Sequence, residues 1–194
     1  MDRIVFLDRD GTINEEVEYL HRPEDLVILP GVPAALRRLK ERGFHLVVVT
    51  NQAGVARGYY KESDVKALHE YMNRLLRKDG VEIDHFFYCP HHPVHGVGAY
   101  KQACHCRKPE TGMFEMAETY YHVDKSHSYM IGDKLFDTEA GNRYGVSTIL
   151  LGTGYGKELC ERLTEKEKEE AFDAYEEDME AAAEWILKKE GVID

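Results

Sequence analysis

Two kinds of run alternate along the chain. Short apolar runs rich in β-branched and aromatic residues fall at Arg3–Leu7, Phe44–Thr50, Asp84–Tyr88, His127–Ile131 and Ser147–Leu151. Each is bounded by glycine or polar residues, which is the pattern of a buried strand. Between them lie stretches with helical periodicity. VPAALRRLKERG follows Pro30-Gly31 and ends at Gly43. A second runs from about Glu62 to Asp79, with Val65, Leu68, Met72, Leu75 and Leu76 on one face. A third lies around Met113–His122, and a short fourth ends at Gly145. Cys89 to Pro109 has no period and reads as an irregular loop. Beyond Leu159, Phe172, Tyr175, Met179, Ala183 and Ile186 recur at roughly helical spacing, predicting a helix docked on the sheet. A short sixth strand near Phe172–Tyr175 is the alternative. The glycine-rich Gly152–Gly156 is followed by no GK[ST] and reads as a turn.

Strands alternating with helices predict one α/β domain over residues 1–194, a doubly wound and mostly parallel sheet. Ligands of such sheets bind beyond the carboxyl ends of the strands. Those ends carry Asp8 and Asp10, then Thr50 and Asn51, then Cys89, then Asp133 and Lys134. Only a loop and one helix fit between Asp8 and Thr50, so the cap is minimal and the mouth open.

Charge narrows the partners. The chain has 36 acidic and 25 basic residues, a net charge of −11, which opposes nucleic-acid and anionic-membrane binding. Much of the excess lies beyond residue 157, as a solvated helix face. No apolar stretch approaches the roughly 20 residues of a membrane span, and no secretory signal opens the chain. A cytoplasmic monomer acting on a small molecule is expected.

The chemistry follows from the sheet edge. Asp8 and Asp10 are two residues apart, so in an extended backbone their carboxylates point the same way. Three aspartates with Thr50, Asn51 and the pair Arg107-Lys108 suit Mg2+ held beside a phosphate. A carboxylate can attack phosphorus to form an aspartyl-phosphate. A second acid can protonate the leaving oxygen and later take a proton from water. Asp137 reads as a helix N-terminal residue, or as one that supports the ligands from behind, and stands outside the metal set.

Cys89-Pro-His91 and Cys104-His105-Cys106 form C-x-H-x12-C-x-C. Three thiolates and an imidazole complete a tetrahedral structural Zn2+ site, which would stiffen the loop 89–107. His92, His95 and His105 read as surface histidines, and Cys160 as a buried or free thiol.

FLDRDGT, VVVTN, RKPETGM and YMIGDKLFD, in that order, resemble the four motifs of the haloacid dehalogenase-like phosphohydrolases, whose fold is Rossmann-like. The set spans residues 4–137. The resemblance implies Asp8 as nucleophile and Asp10 as general acid/base. It gives Thr50, Asn51 and Lys108 the phosphoryl group, and Mg2+ the Asp8 carboxylate, the Asp10 carbonyl and Asp133. The zinc loop before RKP is similar to that of histidinol-phosphate and heptose bisphosphate phosphatases, and its length is closer to the latter. That likeness implies a sugar bisphosphate substrate in nucleotide-activated heptose and surface-glycan biosynthesis, with histidinol phosphate or another small ester as the alternative. It also implies Arg107 on the second phosphate. Lys134, Glu16, Tyr19, Gln52 and Ala53 are the further candidates for substrate contact.

Overall fold

The apolar runs become the strands of one six-stranded sheet in the computed structural model, which describes residues 1–192. In chain order these are β1 (Arg3–Leu7), β2 (Phe44–Asn51), β3 (His85–Cys89), β4 (Tyr129–Gly132), β5 (Ser147–Leu151) and β6 (Ala174–Glu176). Their spatial order is β3-β2-β1-β4-β5-β6, and every neighbouring pair is parallel. The helices are α1 (Val32–Glu41), α2 (Ala53–Ala56), α3 (Glu62–Arg77), α4 (Gly112–Ala117), α5 (Leu135–Tyr144), α6 (Gly156–Arg162), α7 (Glu165–Ala171) and α8 (Met179–Lys189).

Period-two alternation sorts the central strand between two cores. Val5 and Leu7 pack with apolar residues of α1, α3 and α8, including Leu36, Leu68 and Ile186. Ile4 and Phe6 pack with Met113 and Phe114 of α4 and Ala140 and Tyr144 of α5. Covered on both faces, β1 has no polar phase, which is why it reads as a continuous apolar run. Burying each such side chain contributes about 1.5–3 kcal/mol. Between β1 and β2 stand only a 3-10 turn (Pro23–Asp25) and α1. The carboxyl edge of the sheet is therefore open, as expected of a minimal cap.

Several predicted elements shift. The second helix stops at Arg77 rather than Asp79. The helix expected over Met113–His122 covers Gly112–Ala117, because turns take over at Glu118. The fourth strand starts at Tyr129, after a 3-10 turn over Lys125–His127. The third strand is displaced by one residue, so Cys89 ends it rather than following it. The tail resolves toward the alternative: Phe172 closes α7, Tyr175 lies in β6, and only Met179, Ala183 and Ile186 share α8. Among the described residues, no helix is long and apolar enough to cross a membrane.

Candidate active site

Because all strands are parallel, their carboxyl ends share one edge. There a cleft of ≈ 280 Å³ is lined by Asp8, Asp10, Glu16, Tyr19, Thr50, Asn51, Gln52, Ala53, Arg107 and Lys134. Nearly the whole predicted set thus meets in one place. The Lys108 ammonium approaches the same cleft from beneath, buried against Asp8.

The β1 ladder runs one residue past the strand, with the Asp8 N–H donating to Ile131 O at 3.0 Å. That fixes the Asp8 carboxylate at the edge. Lys108 Nζ donates to Asp8 Oδ1 at 2.9 Å and lies 2.6 Å from Asp137 Oδ1. Burial alone would raise the Asp8 pKa, but Lys108 and then Lys134 outweigh it and hold the carboxyl below its ordinary value. Asp8 is thereby kept ionised. Asp137 and then Asp8, outweighing burial, raise the Lys108 pKa and keep it charged.

Asp10 is held from several sides. Arg9 donates from Nε to Oδ1 at 3.1 Å and from Nη2 to Oδ2 at 2.9 Å. Asn14 Nδ2 reaches Oδ1 at 3.0 Å and Gln52 Nε2 reaches Oδ2 at 3.1 Å. Gln52 also donates to Thr50 Oγ1 at 2.9 Å, leaving the threonine its own proton to donate into the cleft. Gln52 is 2% exposed and accepts from Tyr60 and Arg9, so it orders its neighbours as well as lining the cleft. Asn51 has both ends of its amide on the Lys108 backbone, at 3.1 and 3.0 Å. It ties the end of β2 to the segment that delivers Lys108.

Asp133 follows β4 and is completely buried. Burial and then the Asp8 charge, against the pull of Lys134, push its carboxyl up to about 6. Two glycines make room for it. A Cβ on Gly11 (φ +79°) or Gly154 (φ +54°) would collide with Asp133 Oδ2, and both backbones sit in the left-handed region that favours glycine. Tyr155 N–H donates to the same oxygen at 3.0 Å. The glycine-rich segment is thus a turn, as predicted, but one shaped around Asp133. Lys134 Nζ lies 3.1 Å from Asp133 Oδ1 and 2.8 Å from Glu16 Oε2.

Asp137 takes both of the roles expected of it, at the helix N-terminus and behind the cleft. Its Oδ2 accepts from Lys134 N–H at 3.0 Å while its other oxygen faces Lys108. Buried oxygens of Asp8, Asp133 and Asp137 all lie within 4.8 Å of one another. Burial and the nearby Asp8 push Asp137 up to about 7.

The cysteine loop forms the wall beside β3. Ligand atoms of Cys89, His91, Cys104 and Cys106 lie within 4.8 Å of one another. The Sγ–Sγ separations are 3.3 Å for Cys89–Cys104 and 3.0 Å for Cys104–Cys106. Both exceed the roughly 2.05 Å of a disulfide. His91 Nδ1 is 3.5 Å from Cys106 Sγ. The loop reaches the cleft directly, since Arg107 Nη1 donates to His91 O at 3.1 Å. His92, expected at the surface, is half-buried and accepts from the Val94 and His95 N–H groups. His95 and His105 are exposed, and Cys160 is a half-buried free thiol.

Arg9, Asn14, Tyr60 and Tyr155 take part in the site without having been singled out from sequence. Arg9 offered one signal, a cation set between two acids at the end of an apolar run.

Comparison with known proteins extends the picture. A family model described as HAD-hydrolase-like matches residues 105–182. The chain is similar to the D-glycero-beta-D-manno-heptose-1,7-bisphosphate 7-phosphatase of Escherichia coli O6:H1, 47% identical over 151 residues, or 77% of this chain and 80% of the relative. It is equally similar, at 47% over 154 residues, to the enzyme of that name from Haemophilus ducreyi, covering 78% of this chain and 84% of the relative. Among solved structures, the D,D-heptose 1,7-bisphosphate phosphatase of B. bronchiseptica, complexed with magnesium and phosphate, aligns with a TM-score of 0.81. That pair is 33% identical, over 96% of this chain and 99% of the other.

Proposed function

The chain belongs to the haloacid dehalogenase-like hydrolases, with the D-glycero-beta-D-manno-heptose-1,7-bisphosphate 7-phosphatases, and on that premise we propose how it works. It is a phosphoric monoester hydrolase that removes the C7 phosphate of D-glycero-D-manno-heptose 1,7-bisphosphate. It acts as a cytoplasmic monomer of one domain, in the making of nucleotide-activated heptose. The observation that carries this reading is the meeting of Asp8, Asp10, Thr50, Lys108 and Asp133 at one open sheet edge.

The residues fit a divalent cation. Asp8 and Asp133 are buried carboxylates with neighbouring oxygens, and Asp133 carries a burial cost that a bound cation would relieve. Asp8, the Asp10 carbonyl and Asp133 would hold Mg2+, which neutralises charge on the phosphoryl oxygens when bound.

The protein's own groups do the rest. Asp8 Oδ attacks phosphorus and the ester P–O bond breaks. Asp10 gives its proton to the leaving sugar oxygen. Lys108 and the Thr50 hydroxyl stabilise the phosphoryl oxygens. Water, deprotonated by Asp10, then attacks the phosphorus of the aspartyl-phosphate, restoring the Asp8 carboxylate and freeing phosphate. Arg107 flanks the cleft as the cation for the phosphate that stays, Lys134 contacts substrate from beside Asp8 and Asp133, and Glu16, Tyr19 and Ala53 lie along the sugar. Asn51 and Gln52 serve by holding Lys108, Thr50 and Asp10 in place.

Cys89, His91, Cys104 and Cys106 would hold a structural Zn2+. Their S–N separations of 3.5 and 3.8 Å match the edges of a tetrahedral zinc site, and the sulfurs, 3.3 and 3.0 Å apart, would spread to the ~3.8 Å edge that Zn–S bonds of about 2.3 Å set. All four positions are filled by protein, so this ion would take no part in the reaction. Phosphate release from the two anomers of heptose 1,7-bisphosphate, fructose 1,6-bisphosphate and histidinol phosphate tests the proposal. The β anomer is expected to lead, and a preference for histidinol phosphate would overturn it.

A further inference from the structure

Arg9 stands between the two candidate catalytic acids, yet its residue is 0% exposed. Its side chain meets protein rather than the cleft. Nε and Nη2 form a fork on the two oxygens of Asp10. Nη2 also approaches Leu20 O and Gln52 Oε1, each at 3.2 Å. Nη1 takes no part in the fork and lies 3.3 Å from His69 Nε2.

A guanidinium can only donate, so His69 Nε2 must present its lone pair and carry the ring proton on Nδ1. The ring is 4% exposed. It stacks on Phe86 with centroids 4.5 Å apart and meets Tyr88 edge-on at 6.0 Å. Burial, and then the Arg9 charge, pull the His69 pKa well below its ordinary value, which keeps the acceptor available. His69 belongs to the buried face of α3 beside Leu68 and Met72, where an apolar side chain would satisfy packing alone.

We propose that His69 is a positioning residue for the phosphatase reaction, anchoring Arg9 so that the guanidinium fork holds the Asp10 carboxylate in line with the leaving oxygen. A bidentate fork fixes the plane of a carboxylate. The fork is itself fixed only if its remaining nitrogen is held. Without an acceptor at position 69, a buried cationic N–H is left unpaired, which is costly. The guanidinium then turns toward another acceptor and takes Asp10 with it. His69 touches neither substrate nor metal ligand and acts through Arg9.

The inference rests on the reading of Asp10 as the proton shuttle, and the experiment separates the two. Steady-state kinetics are measured for wild type, His69→Phe, His69→Gln and Asp10→Asn. The substrates are heptose 1,7-bisphosphate, whose alkoxide needs a proton to leave, and 4-nitrophenyl phosphate, whose phenolate does not. His69→Phe keeps a flat ring against Phe86 but offers no lone pair, whereas His69→Gln offers a carbonyl oxygen. His69→Phe is expected to lower kcat/KM for the sugar about tenfold and to leave kcat/KM for the aryl ester within about twofold, because kcat/KM ends at departure of the leaving group and excludes the water step that both substrates share. His69→Gln should restore most of that loss.

Equal losses on both substrates, no loss on either, or a His69→Gln as impaired as His69→Phe would overturn the proposal. If His69→Phe does not fold, His69→Leu is judged by the same substrate ratio. If Asp10→Asn lowers kcat/KM alike for both substrates, the shuttle reading fails and the proposal with it. If Asp10→Asn is selective and His69→Phe is not, only the anchoring role is lost.

Discussion

Asp8 and Lys108 form the pair on which the residue-scale chemistry turns, 2.9 Å apart and both buried. Replacing Asp8 with Asn swaps an ionised oxygen for an amide, a far poorer nucleophile. Asp8→Asn is expected to abolish turnover with the fold intact, measured as phosphate release beside a circular dichroism spectrum. Lys108 and Arg107 are adjacent in sequence, but Lys108 is buried on Asp8 while Arg107 lines the cleft and is tied to the loop at His91 O. Lys108→Ala should therefore damage every substrate. Arg107→Ala should cost about 1.5–3 kcal/mol, or one to two decades in kcat/KM, on bisphosphates alone. A uniform loss for Arg107→Ala would place it with the transferred phosphate instead. At this scale the sequence was informative because motif spacing sets which side chains leave the strand ends. Asn51 and Gln52, expected on the substrate, line the cleft, and the further bonds of their amides to Lys108, Thr50 and Asp10 could not be read from sequence. Such bonds between segments distant in the chain leave no periodic trace.

Elements set how firmly those residues are held. The loop from Cys89 to Arg107 has little regular structure, a 3-10 turn at Gly98–Tyr100 being the exception, so cross-linking must supply its rigidity. Metal analysis of protein purified without chelator should find about one zinc per chain. Cys104→Ser should lower Tm and raise KM for the bisphosphate, since Arg107 hangs on this loop, with little change in kcat for an aryl phosphate. The turn after β5 has an equally definite duty. Gly154→Ala would force a strained backbone and push a methyl group against Asp133. Weaker Mg2+ binding by calorimetry is the expected result, and unchanged affinity would show that the turn yields without moving Asp133.

For the whole molecule, one buried histidine makes stability depend on pH in a predictable direction. His69 is pulled well below its ordinary 6.5 in the folded chain. Between that lowered value and 6.5 the unfolded chain binds a proton that the folded chain refuses. The contribution of His69 is therefore fully present above about pH 6.5 and is lost as pH falls, by up to about 1.4 kcal/mol per pH unit. Unfolding curves from about pH 7.5 to 5.5 should show a steeper fall for wild type than for His69→Phe. Parallel slopes would mean that another group dominates. His69 also marks the border between what the chain announces and what folding adds. By itself the sequence determined the alternation of strands and helices, the parallel sheet and the edge carrying Asp8, Asp10, Thr50 and Asp133. All of these follow from local periodicity and from where a strand must end. The Cys-His cluster was equally legible, since metal chemistry demands particular residue types. Only the tertiary structure brought His69 of α3 onto Arg9, Gly154 against Asp133, and Asp137 onto Lys108. Those contacts join residues far apart in the chain. They arise because burial leaves each polar group only the partners that packing brings within hydrogen-bonding reach.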